Sequence, residues 1–128
     1  GGNTMKRAFS VLINVLPFFA WMYTFYIQYT SDKDGYAILM LFAFPILLSV
    51  FNYKETKKKK ELILRNCLFA FSHIAGYFIH GVLWYKLVSS DSETAYITVA
   101  LSRESLIYIF VITLILYFIK KHKEKKSN

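Results

Sequence analysis

A small set of polar side chains interrupts the apolar stretches of this chain, and these are the residues that could do chemistry. Asn66, His73 and His80 recur every seven residues, a spacing that lines them up on one stripe of a helix. Arg103 and Glu104 stand together in a second apolar run, flanked by Thr98, Ser102 and Ser105. The catalytic combinations open to these residues are poor. Two helical turns separate His73 from His80, ~10.5 Å along the axis, too far to share a metal ion, and no HExxH sequence occurs. Ser72 and His73 are neighbours and so point about 100° apart on a helix. Cys67 is the only cysteine, which excludes an internal disulfide or thiol pair and leaves it as a small buried apolar residue. With no glycine-rich phosphate loop either, no catalytic residue, metal or cofactor is expected, and an intramembrane enzyme is the least favoured function class.

The elements that position these residues follow from composition. The chain has 128 residues, of which 55% are hydrophobic and 19% charged, with a mean hydropathy of +0.35. These values exclude a disordered chain and point to a membrane protein. Gly1 to Thr4 read as a tag remnant before Met5, leaving one domain over 5–128. The apolar run after Lys6 and Arg7 is longer than a signal-peptide core and ends without small residues, so no cleavage is expected. Charged residues divide the chain into apolar segments at 8–29, 36–53, 62–88 and 95–119. A helix needs about 20 residues to cross ~30 Å of hydrocarbon, so all four qualify, the second being slightly short. Period-two alternation is absent, which argues against a β-barrel. The expected fold is an all-α integral membrane protein, a compact bundle of four transmembrane helices.

The connections alternate in sign. Lys6 and Arg7, the 54–60 loop and the 120–128 tail hold twelve of the sixteen cations, whereas Asp32, Asp34, Asp91 and Glu93 mark the other two turns. By the positive-inside rule the topology is N-in/C-in. The exposed lysines, Lys57, Lys58, Lys59, Lys60, Lys120 and Lys121, are then placed to meet anionic lipid headgroups at the cytoplasmic face. The net charge of +8 does not indicate nucleic acid, because the lysines flank the spans and the aromatics lie within them. Thirteen lysines against three arginines, with many Ile, Phe, Tyr and Asn, fit a low-GC bacterium and hence a bacterial cytoplasmic (inner) membrane.

Within this frame the polar stripe of the third helix must face protein, not lipid. Ser72 and Gly76 form a small-xxx-small pair for close helix packing, which puts this helix at the centre of the bundle. His80 and Arg103 both lie about eight residues, ~12 Å, from the outer ends of their segments, so a protein-facing cluster of His80, Arg103 and Glu104 is expected. It is either an ion pair fixing helix register or a binding or proton-relay site. A second geometry has 94–103 as an interfacial helix and only 105–119 spanning. Pro17 and Pro45 release the carbonyls of Ile13 and Leu41 and should kink their helices. Trp21, Tyr23, Tyr26, Tyr29, Tyr36, Tyr53, Trp84 and Tyr85 read as interfacial belt residues.

In length, four-pass layout and basic cytoplasmic flanks the chain resembles the small immunity and sensor-associated membrane proteins of Gram-positive bacteria. That resemblance covers the layout of the whole chain and no diagnostic motif. It implies non-catalytic helix–helix binding to a membrane protein, to a membrane-active peptide or to a second copy. The alternative is an oligomeric transporter or channel lined by His80 and Glu104. Against it, the first three spans carry no carboxylate, and their polar pattern does not repeat between the two halves of the chain.

Overall fold

A computed structural model describes residues 2–31 and 36–127; the turn containing Asp32 and Asp34 lies outside the described residues, as does Gly1. Four helices make up the chain: α1 (Gly2–Ser31), α2 (Tyr36–Glu55), α3 (Lys59–Leu87) and α4 (Ser92–Ser127). All four are long and apolar enough to cross a membrane. Each helix outruns its apolar segment, because Lys and Glu are good helix formers and the backbone ladder continues into the charged flanks. In α4 the helix is unbroken through Thr94, Arg103 and the lysine-rich end, which removes the geometry with a separate interfacial helix. Pro17 and Pro45 also sit inside continuous helices, with their rings fully buried.

The interior of this bundle is polar and its exterior apolar. Among the described residues fourteen polar or charged residues are buried against six large apolar ones, while Phe, Leu, Ile and Tyr side chains cover the outside. Water would favour the reverse distribution, and the sorting is compatible with apolar helices that cross a membrane.

α3 touches each of the other helices, and α1 and α4 do not touch among the described residues. The order around the bundle is therefore α1, α3, α4, α2, with α2 and α3 also meeting across the diagonal. The α1/α3 pair runs parallel and follows one rule. Buried positions on α1 are Ser10, Asn14, Pro17, Trp21, Thr24 and Gln28; those on α3 include Leu62, Asn66, Phe69, His73, Gly76 and His80. Both alternate steps of four and three, the spacing of a left-handed coiled-coil seam. Gly76 allows the closest approach: a Cβ there would lie 3.0 Å from the Phe18 Cα and 2.9 Å from the Trp21 ring. Gly81 plays the same part toward α4, where a Cβ would overlap the side chain of Thr98.

Candidate functional site

Polar side chains fill the α1/α3 seam in three layers. The innermost joins all four helices through three asparagines. Asn14 donates to the Ser10 carbonyl (2.8 Å) and to Asn52 Oδ1 (2.8 Å); Asn52 donates to Asn14 Oδ1 (2.7 Å) and Asn66 Oδ1 (2.8 Å). Asn66 donates to Ser49 Oγ (3.0 Å) and to Thr113 Oγ1 (2.7 Å), and Thr113 donates to the Ile109 carbonyl (2.7 Å). Every amide N–H of the three asparagines is used. The layer is thus a network that holds helix register, with no asparagine donor left for a ligand.

In the middle layer Trp21 Nε1 donates to His73 Nδ1 at 3.1 Å, which leaves the proton of a neutral imidazole on Nε2. The ring stacks on Phe69, with centroids 5.3 Å apart. His73 is fully buried, and its Nε2 has no hydrogen-bond partner. Trp21 is consequently a core residue and not the belt residue expected. It sits on the α1 stripe seven residues from both Asn14 and Gln28, whereas Tyr23, Tyr26 and Tyr29 are exposed.

The outer layer pairs His80 Nε2 with Gln28 Oε1 at 2.7 Å. The His80 ring lies nearly parallel to Tyr77 (12°) and Trp84 (11°). A cavity of about 230 Å³ opens beside it, lined by Gln28, Tyr77, His80, Trp84, Thr94 and Thr98 among others. This is where polar groups of the seam reach the outside. Near its rim, Asp91 accepts from the Thr94 N–H at 2.7 Å and caps α4. That backbone hydrogen bond holds the exposed Asp91 carboxyl below its ordinary range.

Arg103 and Glu104 do not join His80. They pair with each other at 3.2 Å on the outside of the bundle, with side chains 69% and 59% exposed. Helix geometry explains the departure from expectation. The face of α4 that meets its neighbours holds Thr98, Ser105 and Ile109, and at about 100° per residue Arg103 is some 160° around from Ser105. Depth compounds the point. Thr98 meets Gly81 and Thr113 meets Asn66, so Arg103 and Glu104 stand level with Ala75 and Gly76, ~17 Å in from the outer end of α3. An ion pair thus lies exposed near mid-helix on an apolar surface.

Two of the lysines expected at lipid headgroups are used inside the protein. Lys120 is buried; its ammonium donates to the Tyr53 carbonyl at 2.7 Å and to the Thr56 carbonyl, satisfying the last acceptors of α2 at the negative end of its dipole. Lys59 pairs with Glu124 at 3.2 Å, and Glu124 also accepts the Lys59 backbone N–H at 3.0 Å, at the start of α3 where Lys58 provides no side-chain cap. The end of α4 therefore clamps the α2–α3 turn. Lys57, Lys58, Lys60 and Lys121 remain exposed.

Ser72 is buried and donates to the Leu68 carbonyl at 3.0 Å. Cys67, expected to be buried, is exposed beside a groove between α3 and α4, since it stands one position around the helix from the inward Asn66. Among the described residues no group of three or more His, Cys, Asp or Glu could hold a metal ion. Asn14, Trp21, Gln28 and Asn52 were not singled out from sequence, although the seven-residue repeat of Asn14, Trp21 and Gln28 matches that of Asn66, His73 and His80. No protein-family model, curated protein or solved structure matches this chain.

Proposed function

We propose that this chain is a multi-pass protein of a bacterial inner membrane, with both termini and the 54–60 loop cytoplasmic, that acts without catalysis. It binds another membrane component through the outward face of α4, in an immunity, regulatory or accessory role. The observation that carries this reading is the Arg103–Glu104 pair. A charge near the bilayer centre costs ~2.5 to 3.5 kcal/mol on insertion scales, so a mid-helix ion pair turned away from its own bundle calls for a cover other than lipid. α4 is also the least enclosed helix: 11% of its most apolar window is buried, against 39% for α3.

A transport path is less well supported. The seam that would have to carry it is filled at the asparagine layer by three asparagines whose N–H groups are all engaged, and Glu104 faces away from that seam.

Topology and binding are separately testable in a Cys67→Ser background. A membrane-impermeant maleimide should label Ser90→Cys in intact cells and spare Ser127→Cys; the opposite pattern ends the N-in/C-in assignment. In native membranes a spin label at Ile107 should meet lipid-dissolved oxygen less often than one at Phe71, which faces outward from α3 with 76% exposure. Equal collision rates would remove the binding reading.

A further inference from the structure

Resting on that reading, we infer that the occupant of the α4 face is a second copy of this chain, making a twofold dimer. The first argument is spacing. Arg103, Glu104, Ile107, Val111, Leu114 and Phe118 are all exposed, and at about 100° per residue they fall on one outward face of α4, with Ile107 between Arg103 and Glu104 in azimuth. α4 thus presents outward a continuous apolar face whose centre line runs between the two charges.

The second argument is charge. Two copies inserted with the same topology are related by an axis along the membrane normal, so equal residues lie at equal depth. Glu104 is one residue, ~1.5 Å of rise, from the level of Arg103. When the faces meet along the line of Ile107, Arg103 on one flank of each copy stands opposite Glu104 on the facing flank of the other, and the contact is made twice. The bond within the chain joins one guanidinium N–H to one carboxylate oxygen. Arginine carries five such donors and the carboxylate a second oxygen, so the intermolecular bonds add to the existing pair without replacing it. An unrelated partner would need its own matching acid and base at this depth, whereas a second copy brings them by symmetry. Dimerisation therefore turns two lipid-exposed ion pairs into one four-charge network shielded by apolar neighbours.

The experiment uses full-length chains carrying two different tags, in the Cys67→Ser background and in native membranes. With Val111→Cys, oxidation should yield a disulfide-linked homodimer; Phe71→Cys should not. Arg103→Glu makes the stripe doubly acidic and Glu104→Arg makes it doubly basic. Each alone should lower the homodimer yield about tenfold or more, because like charges then face each other. Co-expressed, the acidic and basic chains should recover cross-linking as a mixed dimer. A thermal melt of each variant in detergent, unchanged from the parent, keeps loss of folding from being mistaken for loss of contact.

Absence of the homodimer at Val111→Cys, with Ile107 still protected from lipid-dissolved oxygen, overturns the second copy and leaves a different membrane protein as the occupant. Absence of both the dimer and the protection overturns the binding surface itself. A dimer that forms but is indifferent to charge reversal overturns the pairing of Arg103 with Glu104 across the axis.

Discussion

The α1/α3 seam is a polar stripe filled from both sides, whereas the outward face of α4 leaves its Arg103–Glu104 pair uncovered. In the seam three polar layers pair across the interface: Asn14 reaches Asn66 through Asn52, Trp21 bonds His73, and Gln28 meets His80. On α4 the polar residues pair with each other and project outward. In hydrocarbon an apolar side chain gains little by being buried, since lipid tails are as apolar as the protein interior. What separates an occupied seam from an open one is then whether polar groups and small residues find complements. The seam has both kinds of complement within the chain; the α4 stripe has neither.

If close packing is what makes the seam, the largest effect belongs to its smallest residue. Gly76→Leu must displace the Phe18 backbone and the Trp21 side chain, and backbone yields poorly. Overpacking of this kind costs ~1 to 3 kcal/mol, occasionally more. The variant should lose at least that much in detergent unfolding and weaken the α1/α3 contact. A variant as stable as the parent would mean that the glycine is not at a tight contact, and that the polar layers alone define the seam.

Next in size is the asparagine layer, where Asn52 is the hub. Asn52→Leu leaves both donors of Asn66 satisfied, on Ser49 and Thr113, but strands Asn14 Oδ1, one Asn14 N–H and Asn66 Oδ1. Interhelical hydrogen bonds within membranes average ~0.6 kcal/mol and reach ~1.7; with several lost, a total of about 1 to 2 kcal/mol is expected. Urea or thermal titration of Asn52→Leu beside Asn66→Leu checks this. If Asn52→Leu is as stable as the parent, the network sharpens register without stabilising the fold, and the comparison has to be drawn on specificity instead.

Sequence revealed the four helices because long apolar runs separated by charge are sufficient to specify them, and it revealed the α3 stripe because two histidines and an asparagine at intervals of seven have little reason to sit in lipid. It did not reveal that Trp21 belongs to the core, since Trp also suits the headgroup region and only its spacing from Asn14 and Gln28 distinguishes the two. Nor did it reveal the work of Lys120 and Glu124. A lysine beside a span predicts a topology, but whether its ammonium meets phosphate or the carbonyls ending α2 depends on how the helices are arranged around the bundle. The largest misreading concerned Arg103 and Glu104. Matching their depth to that of His80 placed them at a plausible level, but depth along a helix says nothing of azimuth, and azimuth turned them away.

That misreading yields the smallest expected effect and the sharpest contrast. A buried ion pair that loses one partner costs ~3 to 5 kcal/mol, whereas losing both can be nearly neutral; an exposed pair contributes ~0 to 1 kcal/mol. With side chains 69% and 59% exposed, the second regime applies to the isolated bundle. Measured at dilution in detergent, where the chain is alone, Glu104→Gln, Arg103→Met and the double variant should all melt within about 0.5 kcal/mol of the parent, with effects that add. Gln28→Leu, which removes the partner of His80 inside the seam, should cost more than any of them. In native membranes the same α4 variants should instead alter what the stripe contacts. A large loss for Glu104→Gln in detergent, recovered in the double variant, would put the pair back inside the bundle. The difference between seam and stripe would then be one of degree, and the case for an occupant on α4 would fall with it.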